Sequence, residues 1–255
     1  EKARRGWPGL LAMMRRYRED GRFIPFASYE WHSMKYGDHH IVWRDLDGEL
    51  LLADTLEDLK AKLAGRSAIV VPHHIGYLRG YRGIDWERFT PQLSPVVEIV
   101  SKHGASETDY GPNPMLHTMG PRAVEGTATE GLRRGHHFGF AGSTDNHSGF
   151  PGSYGEGRLA VFASSLTAGA IWEAIQDRRT YAATGDRIEL HFEVNGQGMG
   201  RSLPNAAEKE ISLRARGEDF FDYVEIVRNG VPIRRLNGVF PGATPAARRL
   251  RVKFR

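Results

Sequence analysis

Three short apolar runs each break off into histidine or acid, and that pattern constrains the chain more than any other feature. Residues 67–72 (SAIVVP) run into His73 and His74, 95–100 (PVVEIV) into Ser101, Lys102 and His103, and 138–143 (FGFAGS) into Asp145 and His147. Runs apolar on both sides suit strands buried on both faces, the usual state of parallel strands covered by helices. Helical spacing recurs around them. Residues 7–20 place Leu10, Met13, Met14 and Tyr17 on one face, 55–64 start at Thr55 as N-cap and stop at Gly65, 121–134 stop at Gly135, and a helix after Thr167 runs through Ile171, Trp172, Ala174 and Ile175. Strands are also expected at 23–30, ending in Glu30, at 40–44 and at 159–163. This alternation predicts an α/β layer architecture with ionisable residues gathered at the C-terminal edge of the strands, where α/β folds carry their sites.

After Gly185 the pattern changes. Ile188, Leu190, Phe192 and Val194 alternate with polar residues, Ile211, Leu213 and Ala215 do the same, and 224–231 meet an Asn229-Gly230 turn. Residues 188–255 are therefore expected to form a small antiparallel β-sandwich module, and 1–187 the larger unit. The chain opens on Glu1 and closes on RRLRVKFR, a strand without a turn, so both ends read as continuing in a longer protein. Arg249, Arg251, Lys253 and Arg255 alternate with Leu250, Val252 and Phe254, the pattern of a half-buried strand with a solvated basic face.

Composition excludes several classes of function. The 255 residues contain no cysteine, which removes disulfide scaffolds, thiolate metal sites and cysteine nucleophiles. No apolar run reaches the length of a transmembrane helix. A net charge of +4 is too small to argue for nucleic acid. There is no Gly-x-Ser-x-Gly elbow and no P-loop, and the Gly-rich 149–157 stretch lacks the strand–turn–helix setting of a dinucleotide site. Absence of cysteine suits cytoplasm and periplasm alike.

The chemistry rests on Glu30, His73, His103, Asp145 and His147, which all fall at predicted strand ends. Imidazole and carboxylate together suit Zn, Mn or Fe. Asp145 and His147, two apart on an extended segment, share a face. His74 would face away from His73 if the strand continued. One of His39 and His40 is expected to face the pocket. His117, His136, His137 and His191 have no acid at useful spacing and read as structural or exposed.

The segments FIPFASYEW, GDHHIVW, VPHHIG, VVEIVSKHGASE, AGSTDNHSGFPG and LTAGAIWEAIQDRRTYAATGDRI resemble a bacterial branch of the PHP (polymerase and histidinol phosphatase) superfamily over about residues 7–235. That resemblance implies a distorted (β/α)7 barrel, its first strands missing here, with two or three divalent transition ions at one edge. It implies Glu30 as a bridging ligand, His73 and His103 as ligands of one metal, and Asp145 and His147 as one ligand each of the other two positions. The family's opening His-x-His, a further His and the Asp-His after its second strand would precede residue 1, and no His-x-His occurs in this chain. The resulting expectation is a metal-dependent hydrolase in which water activated at a bound ion attacks a phosphoester, carboxylester or carbamate bond of a small molecule. Asp145 and His39 are the candidate catalytic residues, and Arg79 and Lys102 the candidates for binding an anionic substrate. The alternative is a non-catalytic or degenerate metal-binding barrel whose β-module serves binding.

Overall fold

The computed structural model describes residues 1–153, 156–238 and 248–254. Helix α1 (Lys2–Tyr17) leads into strands β1 (Ser28–Trp31) and β2 (His39–Trp43), and helix α2 (Leu56–Leu63) precedes β3 (Ala68–Pro72). Next come β4 (Val96–Ser101), the short β5 (Gly104–Ala105), helix α3 (Ala128–Arg133), β6 (Gly139–Gly142) and β7 (Gly157–Val161). Helix α4 (Ala168–Gln176) precedes β8 (Thr180–Thr184), and β9 (Glu189–Val194), β10 (Lys209–Arg216), β11 (Tyr223–Arg228), β12 (Val231–Asn237) and β13 (Arg248–Phe254) complete the chain. Several boundaries follow directly from local chemistry. Thr55, Thr127 and Thr167 cap α2, α3 and α4, each accepting a hydrogen bond from the backbone N–H three residues on.

The barrel expectation is wrong. Among the described residues the strands form five small sheets, ordered β1-β2-β3, β5-β4-β6, β7-β8, β9-β10-β13 and β11-β12. Among the described residues β4 and β6 are the one parallel pair, and no sheet closes on itself. β1 and β2 are joined as an antiparallel hairpin, and β3 returns antiparallel to β2 although α2 lies between them. The apolar run of β3 has a different cause from parallel pairing. Ala68 and Val70 pack into a core with Trp31, Ile41, Trp43, Leu59 and Leu63, while Ile69 and Val71 pack into a second core with Val96, Ala141 and Ile175. Covering both faces of a sheet makes a run of this kind whatever the strand direction.

Other expectations need smaller corrections. The 121–134 helix shrinks to α3 behind a single 3₁₀ turn at Val124–Gly126. The face of α1 turned to the core carries Trp7, Leu11 and Met14, whereas Leu10, Met13 and Tyr17 are exposed. The antiparallel pairing expected after residue 185 is present in β9–β13. The β13 backbone pairs with β10, but the facing of the 248–255 side chains lies outside the described residues, as do 154 and 155 of the Gly-rich stretch. Among the described residues, no helix is long and apolar enough to cross a membrane.

Register explains why the chemistry still converges without a barrel. In the first sheet Glu30 lies opposite His40, which lies opposite Val71, so these three share the face turned to the second core. His73 follows two residues after Val71. β4 and β6 run parallel, so His103 and Asp145 leave them at the same end. The edge is built from the ends of β1, β3, β4 and β6 and the start of β2.

Candidate metal centre

Glu30 Oε1 is the hub. It lies 3.7 Å from His73 Nε2, 3.9 Å from His74 Nε2 and 3.5 Å from His32 Nδ1. Asp145 Oδ1 lies 3.5 Å from His73 Nε2 and 3.5 Å from His147 Nδ1. Donor atoms of Glu30, Asp145 and His147 all fall within 4.8 Å of one another, and so do those of Glu30, His73 and His74. These separations are long for hydrogen bonds. Ligands about 2.1 Å from one ion in a tetrahedron sit about 3.4 Å from each other. The spacing therefore suits groups around an ion better than groups bonded directly. His73 Nε2 is buried with no hydrogen-bond partner, an orphan that a metal would satisfy.

Surrounding contacts are of a different kind. His73 Nδ1 is 2.7 Å from Glu98 Oε1, a true charge-assisted hydrogen bond. Glu98 is fully buried on β4, accepts the His74 N–H at 3.2 Å, and also accepts from the Ser143 hydroxyl. His103 Nε2 lies 2.8 Å from Asp145 Oδ2, and its Nδ1 lies 2.9 Å from Thr118 Oγ1. Lys102 Nζ reaches His147 Nδ1 at 3.3 Å from the solvent side.

Electrostatics follow from this packing. Burial favours a neutral His73, but the Glu98 and Asp145 carboxylates outweigh it and raise its pKa to about 10. Burial, reinforced by the neighbouring His73 cation, pushes His74 down to about 3. Burial opposes the Asp145 carboxylate, yet the His103 and His73 imidazoles that face it hold it well below the usual range. Glu30 moves the other way, because its desolvation exceeds the attraction of His73 and His32.

Backbone strain gathers at the same place. His74 (φ 31°), Arg82 (φ 69°) and Asp145 (φ 50°) occupy the left-handed region that β-carbon-bearing residues avoid. The turn at His74 overturns the expectation that it faces away: β3 ends at Pro72, and the His73 and His74 rings lie 3.9 Å apart on the same side. At Asp145 the left-handed residue replaces the extended segment that was to align it with His147. Asn146 Oδ1 holds the new turn by accepting N–H groups of Ser148 and Phe150.

All five expected ligands thus meet at one edge, with His103 joined to the cluster through Asp145. Of the other expected site residues, Lys102 lies at the rim. His39 points to the opposite face, where its ring packs against Trp31 and Nδ1 meets Gly37 O at 2.9 Å; strand alternation sends His40 to the site instead. Arg79 turns away to Asp85 at 2.9 Å and Glu87 at 3.3 Å. The cation at the cluster is Arg82, 2.5 Å from Asp38 Oδ2. Sequence reasoning missed Glu98, Asp38, His32 and Arg82, although an acid immediately before His39 and a histidine two residues after Glu30 were visible signals.

Comparisons with known proteins identify relatives without a stated activity. The chain is similar to uncharacterised proteins of Chlamydia pneumoniae (32% identical over 164 residues), Chlamydia muridarum (32% over 165) and Chlamydia trachomatis (29% over 164). Each match covers 58% of this chain and 26–27% of the relative, so the matched region is about a quarter of those proteins' length. No protein-family model matches, and no solved structure does.

Proposed function

We propose that this chain carries the metal centre of a hydrolase acting on an ester bond of a small molecule, with phosphoesters as the first class and carboxylesters and carbamates as the others. The observation that carries the reading is that Glu30 gathers two sets of donors at ion-ligand spacing, one with His73 and His74 and one with Asp145 and His147, beside a buried, unpartnered His73 Nε2 that lies 3.5 Å from Asp145 Oδ1. The similarity of the SYEW, PHH, KHG and TDNH segments to PHP-superfamily motifs supports the same chemistry; the barrel is no part of it.

Glu30, His73, Asp145 and His147 would hold a Zn, Mn or Fe ion, which supplies an activated water and polarises the ester oxygen. The chain's own groups do the rest. Glu98 fixes the His73 ring so that Nε2 faces the cluster. His103, anchored by Thr118, orients Asp145. Lys102, beside the exposed His147, is placed to meet negative charge on a substrate arriving from solvent. A chain without cysteine suits either the cytoplasm or the periplasm.

The test strips the protein with EDTA, reloads Zn, Mn or Fe separately, and assays p-nitrophenyl phosphates, carboxylesters and carbamates. Hydrolysis of one class that is restored by metal and lost in both His73→Ala and Asp145→Asn is expected. Metal binding with no hydrolysis of any class would favour a binding module, and absence of metal binding would defeat the reading.

A further inference from the structure

We propose that Phe150 is an apolar subsite beside the metal centre, and that it selects esters carrying an aromatic ring over those carrying short alkyl groups. The proposal rests on the metal-centre reading above. Lone exposed apolar side chains are ordinary on protein surfaces. Phe150, 70% exposed, differs in how it is held. Its N–H donates to Asn146 Oδ1 at 3.2 Å, and Asn146 stands between the expected ligands Asp145 and His147. The Ser153 N–H donates to Phe150 O at 3.3 Å, closing a turn with Pro151 second and Gly152 third at φ 78°. Proline followed by a left-handed glycine at those positions is the signature of a type II turn. Pro151 also confines Phe150 to extended backbone.

The rest of the loop inverts the ordinary placement of side chains. Asn146 Nδ2 donates to Ser153 Oγ at 3.3 Å, and Thr144 Oγ1 accepts the Gly152 N–H at 3.4 Å. These polar groups turn inward and brace the loop, while its phenyl ring stands in water. A ring fixed in advance loses little freedom when a ligand packs on it. The same solvent side holds His147, its side chain 68% exposed, and Lys102, whose Nζ is 3.3 Å from His147 Nδ1. Together they suit a ligand with an anionic head for Lys102 and the ion, and an aromatic ring for Phe150. Aromatic pairs gain more than the area they bury, which a methyl or ethyl group cannot match.

The test loads the full chain with Mn²⁺ and titrates two anions that cannot be hydrolysed, phenylphosphonate and methylphosphonate, by calorimetry. Wild type is expected to bind the phenyl compound about tenfold more tightly. Phe150→Ala should bring that ratio to about one and Phe150→Tyr should keep it, with the Kd for Mn²⁺ equal in all three proteins. A ratio near one in wild type, a ratio unchanged in Phe150→Ala, or no binding of either anion would overturn the subsite and leave the metal centre standing. Weaker Mn²⁺ binding in Phe150→Ala would overturn it too, because Phe150 would then be a brace of the ligand turn and not a contact for substrate. No Mn²⁺ binding by wild type would overturn both.

Discussion

The Glu98 carboxylate sits in the middle of β4, out of reach of solvent, and holds His73, His74 and Ser143 at once. Partners of this kind behind a ligating histidine typically carry 10–100-fold of metal affinity. Glu98→Gln keeps the shape and the acceptor but removes the charge. Its Kd for Mn²⁺ should therefore rise by about 10–100-fold while the far-ultraviolet dichroism is unchanged; an unchanged Kd would remove Glu98 from the centre. His39 offers a test that does not involve the ion. Burial lowers its folded pKa from 6.5 to about 4. Between those values the unfolded chain binds a proton that the native chain does not, so stability falls as pH drops from about 6.5 toward 4 and this contribution is constant above that window. The full effect is on the order of 3 kcal/mol. His39→Phe, which keeps the ring against Trp31, should flatten the pH dependence of urea midpoints in that window, and an identical slope would contradict the buried neutral state. At this scale the sequence was legible wherever the chain stays regular. Strand alternation separates His39 from His40, but the left-handed turn at His74 follows no rule of spacing, and Glu98 looked like any polar residue in a strand.

Elements were read well where a local signal sets them and poorly where distant packing does. Thr55 and Thr167 begin helices as their side chains dictate. Most strand positions were right, although the run 23–30 is a strand only in β1 from Ser28 on. Direction, however, depends on which neighbour a strand finds, and β3 buried on two sides looks the same parallel or antiparallel. Helix α1 offers two apolar stripes, and the one carrying Trp7 packs because its indole reaches Gly48 O at 2.8 Å and the Tyr29 ring edge-on at 5.9 Å. Helix α3 gives a prediction against ordinary propensity. Gly to Ala inside a helix normally stabilises by about 1 kcal/mol. A β-carbon at Gly131 would fall 2.5 Å from the buried Trp86 ring, which is stacked on Phe138 and His136. Gly131→Ala should therefore lower Tm, and a rise would mean that α3 does not pack on Trp86.

For the whole molecule, the places of Glu30, His73, His103, Asp145 and His147 at predicted strand ends anticipated the residues that meet but not the scaffold that brings them together. Small sheets of two or three strands replace the barrel among the described residues, and the shared edge survives because β1, β3, β4 and β6 end, and β2 begins, at the same place. An ion that binds only the folded chain and ties these elements together must stabilise it by mass action. At 100 times Kd one site adds about 2.7 kcal/mol, or about 5–11 °C in Tm for a chain of this size. Differential scanning calorimetry should show that rise with Mn²⁺ or Zn²⁺, its reversal by EDTA, and its reduction in His73→Ala; equal shifts in wild type and His73→Ala would place the ion elsewhere. The most direct measurement is anomalous X-ray diffraction from crystals of the protein grown with Mn²⁺ or Zn²⁺. The account predicts an anomalous peak within bonding distance of Glu30 Oε1, His73 Nε2 and Asp145 Oδ1. Strong anomalous density at other residues, with these three side chains still directly in contact with one another, would contradict it.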